Sequence, residues 1–191
     1  MANLLQNGDF GAAPLSPTLL IGTNHAGKSA AQHWTTWNNT GPRGICAYTS
    51  TAIVALGDVD RLVEPPKDNP QTYCSGVHDF LKPPAGTKQV IEVVTNGADN
   101  GIVQVFSGDR GAPKVVESSV WVFVLRGPVA MGTGHGGNTA QDIVSTKTYE
   151  WELLHARNGV SPATEFIVYS AAAASGGAWF FAANASVVKV D

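Results

Sequence analysis

The sequence predicts an all-β fold, a sandwich or a barrel, and three observations lead there. β-branched and aromatic runs recur along the chain, about eight or nine in all, each the length of a short strand. Gly, Pro, Asn and Asp punctuate them, the turn-forming residues of an all-β chain. Helical periodicity is nearly absent. The best helix candidate, Ala171 to Ala174, is a run of four alanines closed by Ser175-Gly176-Gly177. That is far short of the roughly 12–15 residues at which an isolated helix becomes marginal.

In chain order, Leu4-Leu5 leads into Asn7-Gly8 and Phe10, and Thr51 to Leu56 carries Ile53, Val54 and Leu56. Val90 to Thr95 is β-branched and ends at Asn96-Gly97, with Asp99-Asn100-Gly101 close behind. These turn residues tolerate positive φ, so a hairpin into Ile102 to Phe106 is predicted. Val115-Val116 precedes the longest β run, Val120 to Arg126, and the glycine-rich Gly127 to Gly137 reads as a long loop. Tyr149 to Leu154, Glu165 to Tyr169, Trp179 to Phe181 and Val187 to Val190 complete the set. No repeat or linker divides the chain, which predicts one domain over 1–191.

Composition supports a packed core. Of the 191 residues 43% are hydrophobic, and a core of this size buries about 70% of the unfolded surface. Charged residues are only 14%, against the usual quarter or so. The 12 Lys+Arg and 15 Asp+Glu give a net charge of -3. This balance argues against a nucleic-acid partner, which needs a basic stripe, and against a polybasic membrane anchor. No run approaches the roughly 18 apolar residues of a membrane-inserted span. Leu4-Leu5 is followed at once by Gln6 to Asp9, and Leu19-Leu20-Ile21 follows Pro14 and Pro17. No secretory signal is therefore read, and the compartment stays open between a non-exported protein and a mature extracellular or virion-surface form. Cys46 and Cys74 permit buried free thiols or a single bridge, and neither belongs to a C-x-x-C pair.

The chemistry of catalysis finds no frame. Glycoside hydrolysis needs two carboxylates facing each other across a bond, and no acid/base motif presents such a pair. His25, His33, His78, His135 and His155 have no metal-ligand spacing. The loop around His135 lacks a serine elbow. No catalytic residue, metal-ligating residue or cofactor is predicted.

Asn3-Leu4-Leu5-Gln6-Asn7-Gly8-Asp9-Phe10 resembles the opening of the galactose-binding-like jelly rolls. More narrowly, it resembles the carbohydrate-binding modules attached to glycan hydrolases. His33-Trp34, Gly101-Ile102-Val103-Gln104, the strand Val120 to Arg126 and Phe181 to Val187 follow in the order of that family. The resemblance implies an antiparallel jelly-roll β-sandwich over the whole chain. It also implies non-catalytic binding of an oligosaccharide or polysaccharide by aromatic stacking and hydrogen bonding. The family commonly holds a structural calcium between a carboxylate after N-G-x-F and an Asp of the closing motif. Those positions are Gly11 and Ala183 here, leaving Asp9 and Asn184 against a need for about six to eight oxygen ligands.

Sugars are held by flat rings over their C–H faces and by planar polar groups that bridge hydroxyls. Trp34 takes the family's core position. Trp37, beside the turn Asn38 to Gly41, is freer to serve as a platform. Period two puts Trp121, Phe123 and Leu125 on one face, read as the inner one, and Val120, Val122, Val124 and Arg126 on the other. Val103 and Val105 are read as core-facing, and the resemblance places Gln104 in the cleft. Tyr73, His78 and Arg43 belong to loops that rim such clefts, whereas Tyr149, Trp151 and Trp179 read as core. The expected ligand-binding set is Trp37, Arg43, Tyr73, His78, Gln104 and Arg126. A second reading is a structural or adhesive sandwich, a subunit of a virion appendage or surface assembly that forms a homo-oligomer.

Overall fold

The computed structural model describes residues 2–11, 20–21, 27–28, 31–39, 47–55, 83–87, 89–106, 114–133, 142–160, 164–172 and 176–190. Two antiparallel sheets of six strands face each other. The first runs β1 (Leu20–Ile21), β4 (Tyr48–Ala55), β5 (Gln89–Thr95), β12 (Trp179–Val190), β7 (Lys114–Arg126) and β10 (Trp151–Val160). The second runs β2 (Gly27–Lys28), β3 (Thr35–Trp37), β6 (Gly101–Phe106), β11 (Thr164–Ser170), β8 (Val129–Thr133) and β9 (Ile143–Val144). From β5 onward the chain passes back and forth between the sheets. No helix occurs among the described residues. The fold is an all-β antiparallel sandwich.

The core lies between the sheets. Ile91 and Val93 of β5, Phe180 and Ala182 of β12 and Val120, Val122 and Val124 of β7 meet Ile102 and Phe106 of β6, Phe166 and Val168 of β11 and Met131 of β8. Each of these side chains larger than alanine contributes about 1.5–3 kcal/mol when fully buried. Trp34 joins them, its ring centroid 5.1 Å from Phe10 and 6.0 Å from Phe166. Its Nε1–H donates to Asn7 O at 3.1 Å, which satisfies the one polar atom of a buried indole.

Four expectations change. The Asn96-Gly97 turn does not close a hairpin, because β5 and β6 lie in different sheets. It is a corner, held where Asn96 Oδ1 accepts from Tyr48 N at 2.9 Å and Asn100 Oδ1 accepts from Asn39 N at 2.6 Å. The second change is in the faces of β6 and β7. Alternation holds on both strands, but Val120, Val122, Val124, Ile102 and Phe106 face the core, while Trp121 and Leu125 lie outside and Val105 is 70% exposed. Third, the glycine-rich loop contains β8, all of it buried.

Finally, the opening motif is a strap of bends and turns rather than a strand. Asn3 Oδ1 accepts from Leu5 N at 3.1 Å and from Val187 N at 2.9 Å, and its Nδ2 donates to Ala185 O at 3.0 Å. Backbone bonds between Leu4 N and Val187 O and between Ala185 N and Gly8 O, both 2.8 Å, tie the strap along β12.

Candidate functional site

The outer face of the second sheet is built by period two. Thr36, Ile102, Phe166 and Val168 point inward and are fully buried. Trp37, Thr35, Glu165, Ile167 and Tyr169 therefore point outward. Trp37 pairs with Gly101, and Gly101 pairs with Tyr169, so one row across the sheet reads ring, bare backbone, ring. A Cβ on Gly101 would lie 2.1 Å from Val168 O, so only glycine fits between the two aromatics. Trp37 remains half-buried.

Polar groups stand beside the rings. The Tyr169 hydroxyl donates to Asp142 Oδ2. Asp142 rests over Gly132, where a Cβ would come within 2.5 Å of its Oδ1. Burial pushes the Asp142 carboxyl above its ordinary range; the bond from Tyr169 opposes that, and the charge of Asp99 adds to it. Burial first, and then the Asp142 carboxylate, push the Tyr169 hydroxyl far above its ordinary value, so it keeps its proton as a donor. Nearby, Glu165 pairs with the exposed Val105. Tyr169 is only 7% exposed, so the stacking area of this face lies on Trp37, with Asp142 and Glu165 beside it as acceptors for hydroxyl groups.

The expected site residues do not all meet here. Gln104 is only 5% exposed. Its Oε1 accepts from Gln6 N at 2.6 Å and its Nε2 donates to Gln6 O at 2.8 Å. It thus faces the core and fastens the strap, instead of standing in a cleft. Arg126 is exposed, but on the other sheet. A one-residue bulge skips Leu125, so Arg126 pairs with Trp179 while Val124 pairs with Phe180. The bulge moves Arg126 off the valine face and onto the outer face of the first sheet. Arg43, Tyr73 and His78 lie outside the described residues, as do Cys46 and Cys74. Tyr169 and Asp142 were missed; the alternation Glu165, Ile167, Tyr169 was the available signal for the first of them.

The aromatics read as core form a second apolar layer, on the outside of the first sheet. Phe123, Phe181, Val54, Val90 and Ala183 are buried there under Trp121, Leu125, Tyr149 and Trp151. Phe123 and Trp151 rings sit 5.5 Å apart. At its edge Trp179 Nε1–H donates to Glu92 Oε1 at 2.8 Å, and burial raises the Glu92 carboxyl despite that bond.

A polar hollow of about 610 Å³ beside the strap is lined by Gln6, Asn7, Asp9, His33 and Gln89 among others. The donors near it do not fit the calcium of the resembling family. Gly11 has no side chain, and its N–H occupies Asp9 Oδ1 at 3.1 Å. The Ala183 methyl is buried in the outer layer. Asn184 donates its Nδ2 to Thr87 Oγ1 at 2.8 Å.

No protein-family model matches the chain, and no curated protein sequence matches it. Solved structures similar to it include carbohydrate-binding modules and, with a TM-score of 0.39 at 11% identity over 98% of this chain and 21% of that one, the enzymatically active domain of bacteriophage CBA120 tailspike protein 4. One of the modules is the CBM22-1 xylan-binding domain of Xyn10C from Paenibacillus barcinonensis. It gives a TM-score of 0.46 at 12% identity, covering 86% of this chain and 90% of that one. Another is the family 11 carbohydrate-binding module of the cellulosomal cellulase Lic26A-Cel5E of Clostridium thermocellum. Its TM-score is 0.45 at 13% identity, over 92% and 96% of the two chains. A third is TmCBM61 in complex with β-1,4-galactotriose, with a TM-score of 0.38, 14% identity and full coverage of both chains.

Proposed function

We propose that the protein is a non-catalytic glycan-binding module that takes an oligosaccharide or polysaccharide chain on the outer face of its second sheet. The observation that carries this reading is the row Trp37, Gly101, Tyr169, two rings in register across a residue with no side chain. Sugar rings stack on Trp37, and their hydroxyls donate to Asp142 and Glu165. Arg43, Tyr73 and His78 belong to the proposal as loop contacts. Gln104 does not, because its amide is engaged with Gln6.

Calorimetry against soluble xylan, β-glucan, galactan and mannan tests it. Binding to at least one, weakened about tenfold or more by Trp37→Ala, is the expected result; stacking on a ring is worth about 0.5–1.5 kcal/mol beyond its buried area. No heat with any of the four overturns it. The reading as a structural subunit is favoured by one observation, the half-exposed Leu153 (45%) on β10, an edge strand of ten residues. A stable oligomer in sedimentation, with no glycan bound, would decide for it.

A further inference from the structure

We infer a second saccharide-binding groove on the opposite side of the sandwich, with Trp121 as its stacking platform and Glu117, Ser119, His155 and Ser186 as its hydrogen-bonding wall. The inference rests on the glycan reading above but uses other residues and the other sheet. Register places the wall. Ser119 of β7 pairs with Ser186 of β12 on one side and with His155 of β10 on the other. Glu117 pairs with Val188 and with Arg157 in the next row. Val116, Ser118 and Val120 between them are buried in the core, so the odd-numbered residues of β7 face outward.

A groove of about 540 Å³ runs there, lined by Glu117, Ser119, His155, Ser186, Val188 and Val190. Its size falls in the range of about 300–1,000 Å³ of small-molecule sites. A register shift in β12 between Ala183 and Ser186 interrupts the ladder beside it, the kind of irregularity found next to binding sites.

The chemistry points to a neutral sugar. Trp121 stands two residues along β7 from Ser119, on the same face. It is half-buried where it leans on the Phe123 and Phe181 layer. Its cross-strand neighbours are Ala183 and Leu153, so the residue directly opposite it on β12 carries only a methyl group. Moving along β7, a ligand meets a ring, then two hydroxyls and an imidazole, then a carboxylate. The order matches a pyranose chain, with its C–H faces and its hydroxyl edges. Among the described residues the side chains of Glu117, Ser119, His155 and Ser186 spend no hydrogen bond or ion pair on one another or elsewhere. Arg157 stands directly opposite Glu117, so that row carries no net formal charge, which suits a neutral ligand.

The test is nuclear magnetic resonance of the indole N–H signals during titration with xylohexaose, cellohexaose, mannohexaose and galactotetraose. With one of these, the Trp37 and Trp121 signals both move, at different ligand concentrations, and calorimetry counts two sites. Trp37→Ala leaves the Trp121 response in place. Because Trp121→Ala removes packing from the aromatic layer, the groove is probed instead by the surface variants Glu117→Gln and Ser119→Arg. Each is expected to weaken the Trp121 response about tenfold or more while leaving that of Trp37 unchanged. A response at Trp37 with none at Trp121 overturns the second groove and leaves the first reading standing. Silence at both rings with all four sugars overturns both.

Discussion

At the scale of single residues, Gln104 shows how a polar side chain is put to use inside a sheet. A carboxamide facing a core costs free energy unless both its atoms are bonded, and Gln6 supplies a donor and an acceptor to match. Gln104→Leu is expected to cost about 1–3 kcal/mol in urea unfolding and to leave glycan affinity unchanged; a loss of affinity with unchanged stability would return Gln104 to the cleft. A lone Gln in a β run is visible in the sequence, whereas its partner ninety-eight positions away is not. The carboxyls of Glu92 and Asp142 carry a pH dependence. Both are raised above their ordinary values, 4.5 and 3.8, so between those values and the raised ones the native state binds more protons than the unfolded chain. Stability therefore falls as pH rises through that window and is recovered on acidification. Glu92→Gln keeps an acceptor for Trp179 and should flatten part of the slope of melting temperature against pH; an unaltered slope would mean that Glu92 titrates alike in both states.

At the scale of elements, alternation was readable and its sense was not. β7 carries apolar side chains on both faces, so hydrophobicity alone does not say which side meets the second sheet. The valines do, and the larger rings cover the outside with Trp151 and Phe181. The bulge at Leu125 is equally silent, since nothing in Val124-Leu125-Arg126 marks the residue that drops out of register. The Asn96-Gly97 signal correctly announced a change of direction, but a turn motif does not record whether the next strand returns to the same sheet. At that corner Gly177 approaches so closely that a Cβ would lie 1.8 Å from Thr95 O. Gly177→Ala should therefore destabilise at the upper end of the about 1–3 kcal/mol typical of overpacking, seen as a lower urea midpoint at unchanged slope. An unaffected midpoint would mean that the corner relaxes freely.

At the scale of the whole molecule, the all-β class was legible because strand-length runs and turn residues are local signals. The pairing of sheets and the placement of the two aromatic faces depend on partners far apart in sequence. Trp37 stands out in the sequence because it lies beside a turn, whereas the groove between Glu117 and Val190 does not, because its lining comes from three strands far apart in the chain. Strand order also has a consequence for how the domain comes into being. β12 fills the slot between β5 and β7 and is also what Asn3 and Leu4 clasp, yet it follows every other described strand in the chain. Until it is made the first sheet exists as two halves with raw inner edges, and unpaired edges invite pairing with another chain. The hazardous interval is the time between the synthesis of β7 and the arrival of residues 179–190.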